Sequence, residues 1–243
     1  MPADDKEESE RKPPTLLQKI GAEFIGTFFV TATAIGVDIA FYTGEGADYV
    51  SRWLARGFVT AAAIYAFADT SGAHIDPAVT IGFALRRIFS VSTTLAYIAA
   101  QFAGSFAAAG IFVVLAGPDK LAFGSSHPGP SFSQPIAAVA EIVLTFAVML
   151  VILMTAQEKA EVGKQAAVAV GFTVAACGFA AGPISGASMN PARTIAPQIL
   201  AGKFGDIWIY AVGPLAGAAL AVVAHAWLCG KPSEGERKAA RGK

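Results

Sequence analysis

Three long runs of this chain contain no charged residue: residues 88–118, 165–192 and 207–230. Each is longer than the about 20 apolar residues an α-helix needs to cross the hydrocarbon core of a bilayer. Shorter uncharged runs cover 24–37, 57–68 and 142–157. A soluble domain carries charge on about a quarter of its residues. Here 18 basic and 18 acidic residues make up 15% of 243, and eight of them crowd into residues 1–12 and seven into residues 231–243. The middle cannot cover a water-facing surface with what remains. Reading outward from each run to its flanking breakers gives six spans, at 16–37, 50–70, 92–116, 135–155, 165–182 and 207–229. The expectation is an all-α membrane protein with two short solvated tails, 1–15 and 230–243.

The formal net charge is zero, so nucleic acid is not an expected partner. Cys177 and Cys229 both sit in apolar runs and read as buried small hydrophobes. No metal-ligand spacing and no nucleophile–base set is present, so neither a metal, nor a cofactor, nor an enzyme is expected. The start, MPADDKEESERKPP, lacks the basic region of a cleaved signal peptide. Six spans put both tails on one side. With them go Arg86, Arg87, Lys159 and Lys164, so 13 of the 18 basic residues share that side, the expected cytoplasmic face of a plasma (cell inner) membrane. Small residues recur at helical spacing, with Gly213 and Gly217 in span six and Ala100, Gly104 and Ala108 in span three, which lets helices approach closely in lipid.

The chain repeats itself. Residues 71–80, SGAHIDPAVT, and 185–194, SGASMNPART, share six identities at an offset of 114. Upstream, Ala22-Glu23 with Thr27-Phe28 matches Ala140-Glu141 with Thr145-Phe146. Each half (16–116 and 135–229) has three spans, and an odd number makes the second half enter from the opposite side, an inverted repeat. The stretch after each motif is too short to cross: residues 77–87 give roughly 16 Å of helix. Each opens with a capping residue, Asp76 or Asn190, followed by Pro77 or Pro191 at the first helical position. Two re-entrant half-helices, meeting by their N-termini near the midplane, are therefore expected. Their positive ends would oppose a cation and pass a neutral solute.

These features resemble the aquaporins, the major intrinsic protein family, over residues 16–229. The resemblance rests on the six spans, the twin glutamates and the two segments Asp76-Pro77-Ala78 and Asn190-Pro191-Ala192, which are close to the family's paired Asn-Pro-Ala motifs. It implies a passive channel for water and small neutral solutes (glycerol-like polyols or urea), closed to cations and protons, embedded in lipid as a homotetramer with one pore per protomer. It also implies that Glu23 and Glu141 accept hydrogen bonds from the re-entrant backbones, and that the family's selectivity filter falls on Arg56, Gly178, Ala187 and Arg193. His74 is placed either on the pore or in a satisfied polar core.

Two positions depart from the family pattern. Asp76 replaces the usual first Asn, and an ionised carboxylate accepts hydrogen bonds but donates none. Arg56 replaces an aromatic or aliphatic filter residue. Either it faces a wide, wet aperture opened by the small Gly178 and Ala187, or it turns away to the outer mouth. Two other functions stay open. One is a secondary transporter, since inverted repeats with half-helices also build those. The other is a closed structural membrane protein in which Arg56 and Asp76 plug the path.

Overall fold

The computed structural model describes residues 12–156 and 165–242; Lys159 and Lys164 lie outside the described residues. The chain forms α1 (Leu16–Thr43), α2 (Tyr49–Ser71), the short α3 (Pro77–Leu85), α4 (Val91–Ala116), the one-turn α5 (Pro118–Leu121), α6 (Gln134–Thr155), α7 (Ala166–Ser185), the short α8 (Pro191–Leu200), α9 (Ile207–Cys229) and α10 (Glu234–Arg241). Local chemistry sets the starts. Thr15 and Gln18 close a capping box at α1, and Asp48 and Ser51 do so at α2. Asp76 and Asn190 cap α3 and α8, each with proline next.

Among the described residues five helices, α1, α4, α6, α7 and α9, are long and apolar enough to cross a membrane. With 23 residues, α2 has the length, but Arg52, Arg56 and Asp69 dilute its hydropathy. The two arginines are buried, so this helix turns its charge inward. The rest of the bundle shows the same inversion. Glu23, Thr31, Gln101, Ser105 and Glu141 are buried, while Phe58, Val91, Val114, Phe172 and Val223 are exposed. Polar groups inside and apolar groups outside suit a hydrocarbon surround.

The first half packs α1 against α4 and α2; the second packs α6 against α9 and α7. The halves join where α2 meets α7. A Cβ on Gly57 would lie 2.5 Å from the Gly171 carbonyl oxygen, and one on Gly171 would lie 2.6 Å from that of Gly57. Gly104 sets α4 against the backbone of Phe24, and Gly217 sets α9 against the backbone of Ile142. With these contacts closed, α3 fits between α4 and α9, α8 likewise, and the two short helices touch.

Two expectations need correction. Cys229 is exposed at the end of α9, not buried. Residues 230–243 are not simply a solvated tail: α10 folds back onto the bundle. Glu236, fully buried, receives Arg86 through two bonds of 2.7 and 2.9 Å. Arg86 also donates to the Gly230 carbonyl, Arg241 to the Ile88 carbonyl and Lys19 to the Arg241 carbonyl. Two of the charges that suggest a tail, those of Glu236 and Arg241, are spent on these bonds. Arg86→Ala leaves Glu236 buried without a partner, a loss worth about 3–5 kcal/mol when the charge cannot escape. Because α10 is a short helix docked on the bundle, it escapes by undocking. The expected result is loss of hydrogen-exchange protection over residues 234–241 with α1–α9 still protected.

Candidate functional site: a cavity between the two half-helices

Both motif backbones enter the left-handed region at equivalent places. Ala73 and Ile75 have φ of 45° and 46°, and Ala187 and Met189 have 41° and 58°. Such conformations cost about 1–3 kcal/mol each in non-glycine residues. What holds them is a buried carboxylate in each half. Glu23 accepts from the backbone N–H of His74 (2.9 Å) and Ile75 (2.6 Å), from Ser71 Oγ and from Gln101 Nε2. Glu141 accepts from the N–H of Ser188 (2.9 Å) and Met189 (2.7 Å) and from Ser185 Oγ. Two tyrosines complete the pattern: Tyr97 donates to the Ser71 carbonyl and Tyr210 to the Ser185 carbonyl.

With the N–H groups turned to the glutamates, carbonyls remain for the other side. The Ile75 carbonyl accepts from Asn190 Nδ2 at 2.8 Å, which ties one motif to the other. Asn190 Oδ1 meanwhile caps α8 through the Arg193 N–H. Asp76 Oδ1 caps α3 through the Ala78 N–H at 2.7 Å. Asp76 thus repeats the cap but not the cross-tie, because a carboxylate has no N–H to offer.

A cavity of ≈ 70 Å³ runs between the motifs. Asp76 and Asn190 both line it, as do His74 and Ile152, and Arg56, Ala187 and Arg193. Its remaining walls include Val30, Ile64, Val148 and Val174. The His74 ring is stacked on Phe83 at 4.8 Å between centroids, bonded through Nδ1 to Thr80 and through Nε2 to the Ala240 carbonyl of α10 at 2.9 Å. His74 is therefore both cavity wall and satisfied polar core.

Gly178 does not open the aperture. It is absent from the cavity wall, and a Cβ there would run into the Trp53 indole, as would one on Gly182. The space left by these glycines holds Trp53, which is fully buried. Arg56 is not at the outer mouth either. Its guanidinium lies 4.4 Å over the Trp53 ring, donates to the Gly186 carbonyl at 3.2 Å, and forms an ion pair with Asp38. Asp38 also holds Arg52 at 2.5 Å and Arg193 at 3.4 Å. Arg52 is enclosed by the rings of Phe41, Tyr42 and Trp53, all within 5.1 Å. Arg193 donates further to Ser126 and Thr194.

Sequence reasoning misses Asp38 and Trp53. The uncharged run ends at Val37, so the span is closed one residue before Asp38, whereas α1 continues to Thr43. Two arginines one turn apart on α2 are the signal for a buried carboxylate opposite them. For the motifs, Asp76→Asn supplies the missing N–H, aimed at the Met189 carbonyl, the counterpart of Ile75 at the 114-residue offset. One added buried hydrogen bond is worth about 1 kcal/mol. The expected outcome is a higher thermal unfolding midpoint in detergent; an unchanged or lower midpoint counts against a second cross-tie.

Comparison with known proteins agrees with this architecture. The family model described as "Major intrinsic protein" matches residues 10–225. A putative aquaporin NIP4-1 of Arabidopsis thaliana is 39% identical over 203 residues, covering 83% of this chain and 71% of that protein. Aquaporin NIP1-4 of Oryza sativa subsp. japonica is 38% identical over 213 residues, covering 88% and 76%. The aquaglyceroporin from Plasmodium falciparum superposes with a TM-score of 0.78 at 23% identity, covering 87% of this chain and 96% of that one, which speaks to the fold. A family match of this extent, with relatives of this similarity, makes the chain a member of the major intrinsic protein family.

Proposed function

We propose that this chain is a passive transmembrane channel that conducts water and small neutral solutes and excludes cations and protons. One observation carries the reading: the N-termini of two opposed half-helices, at Asp76 and Asn190, face one cavity. Each helix end brings partial positive charge. A neutral solute meets no charge penalty there, whereas a cation loses its hydration against a positive wall. Arg56 and Arg193 strengthen that wall toward the end of the cavity away from α10. The apolar residues opposite leave few bonding partners, so a solute passes without being held. Relatives named aquaporins support the same reading.

Residues 16–229 form the channel domain in this proposal, with both termini cytoplasmic and the chain in the plasma (cell inner) membrane. The protein works as a homotetramer, which the exposed apolar faces of its helices accommodate. Asp76, Pro77 and Ala78, with Asn190, Pro191 and Ala192, form the pore's midplane; Arg56, Ala187 and Arg193 form its selective end, with Trp53 standing where Gly178 leaves room.

Stopped-flow light scattering on reconstituted vesicles tests the proposal by comparing water, glycerol and urea with protein-free vesicles. Water and at least one of the two solutes are expected to equilibrate faster with the protein present. Arg193→Val removes a guanidinium from the cavity wall. It is expected to keep or raise neutral-solute flux and to admit cations, read as dissipation of an imposed proton or potassium gradient. Unchanged selectivity and unchanged ion exclusion would place Arg193 outside the filter.

A further inference from the structure

The end of the cavity away from α10 holds more positive charge than its partners cancel. Three guanidinium groups, of Arg52, Arg56 and Arg193, meet one carboxylate, that of Asp38, and all four residues are buried. Arg52 accounts for itself: its Nε takes Asp38 Oδ1, and three aromatic rings face its charge. Arg56 and Arg193 must share the other oxygen, Oδ2, and Arg193 reaches it only at 3.4 Å. The other carboxyl group acting on Arg193, that of Glu141, is occupied by the Ser188 and Met189 N–H groups and by Ser185. Arg56 Nε is buried and has no protein partner among the described residues. Both Arg56 and Arg193 line the cavity; Arg52 does not. Three guanidinium groups against one carboxylate leave two positive charges in excess, and Arg56 and Arg193 hold theirs at a site open to small solutes. A buried charge without a partner is unfavourable, and an ion of opposite sign relieves it.

We propose that Arg56 and Arg193 together bind a small monovalent anion, a halide or a planar oxyanion such as nitrate, and that the bound anion slows the passage of neutral solutes. Planar oxyanions match the paired N–H groups of a guanidinium. An anion held by Arg56 and Arg193 stands in the cavity that a solute must enter, since both residues line it. Asp38 sets the affinity: it holds both guanidinium groups and competes with the anion for them. The flux part of the proposal rests on the channel reading above; the binding part does not.

Two measurements separate these parts. Binding is read as the rise in thermal unfolding midpoint of the purified protein in nitrate, against gluconate at equal ionic strength, since a ligand of the folded state stabilises it. Gluconate, a six-carbon carboxylate, is much bulkier than nitrate. The wild-type protein is expected to gain stability along a saturating curve in nitrate. Arg56→Gln is expected to lose that gain. Asp38→Asn, which removes the competing carboxylate, is expected to shift the curve to about tenfold lower nitrate, the effect of one neighbouring charge. Flux is read as water permeability of vesicles in the same two salts, expected to fall toward the protein-free value as nitrate saturates. An unfolding midpoint that is the same in both salts, or a nitrate gain that Arg56→Gln retains, overturns the site. A normal nitrate gain with no water permeability above protein-free vesicles leaves the site standing and defeats the channel reading instead. Nitrate binding with water permeability unaffected overturns the block.

Discussion

A backbone that lies at the depth of a bilayer without regular structure must find a partner for every N–H it exposes. In this chain two carboxylates meet that demand. Glu23 and Glu141 stand at equivalent places in α1 and α6, fully buried, each taking two consecutive N–H groups of a motif and a nearby serine hydroxyl. The arrangement fixes more than the loops. Because both N–H groups of a motif turn toward the glutamate, its carbonyls and its capping side chain turn toward the cavity. The left-handed φ angles at Ala73, Ile75, Ala187 and Met189 are the geometric cost of that sorting. Removing either carboxylate would orphan two donors and leave the strain without support.

Arginines in the membrane interior impose a second demand. A guanidinium there needs a counter-charge, a ring face or a carbonyl, and this protein uses all three on α2. Trp53 is placed between Arg52 and Arg56, at 4.5 and 4.4 Å from their guanidinium carbons. That position exists only because Gly178 and Gly182 on α7 carry no side chain to occupy it. Asp38 reaches across from α1 to close the cluster. Three elements thus depend on one another through side chains that a hydrophobic bundle would replace with leucines. A buried ion cluster of this kind adds little stability over apolar packing, which points to the cavity as the reason for it.

Much of the architecture is legible in the residues. The uncharged runs locate the long helices, and the repeated ten-residue segments, with proline after Asp76 and Asn190, locate the half-helices that the structure contains as α3 and α8. What is not legible has physical causes. Asp38 lies beyond the end of an uncharged run and looks like an ordinary boundary residue. Trp53 reads as one more aromatic in an apolar helix, since a one-dimensional pattern does not show which glycine on a distant helix leaves room for it. Glu236 and Arg241 look like part of a solvated tail because charge signals water until their partners, Arg86 and the Ile88 carbonyl, are known. In each case the missing information is a pairing across more than a hundred residues or across two helices.

The repeat also explains the polarity of the cavity. At the 114-residue offset Asp76 answers Asn190, His74 answers Ser188, and Val79 answers Arg193. The scaffold positions in each pair stay alike: Thr80 bonds His74 as Thr194 bonds Ser188, and both glutamates do the same work. The residues facing the cavity diverge. One end carries Arg193 with Arg56 and its carboxylate. The other carries an apolar wall and His74, which is held by the carbonyl of Ala240 from α10. An inverted repeat alone would give a path with two identical mouths. Changing only the side chains that the glutamates do not need gives the path a cationic end and an end under the C-terminal helix, while the backbone machinery of both halves stays intact.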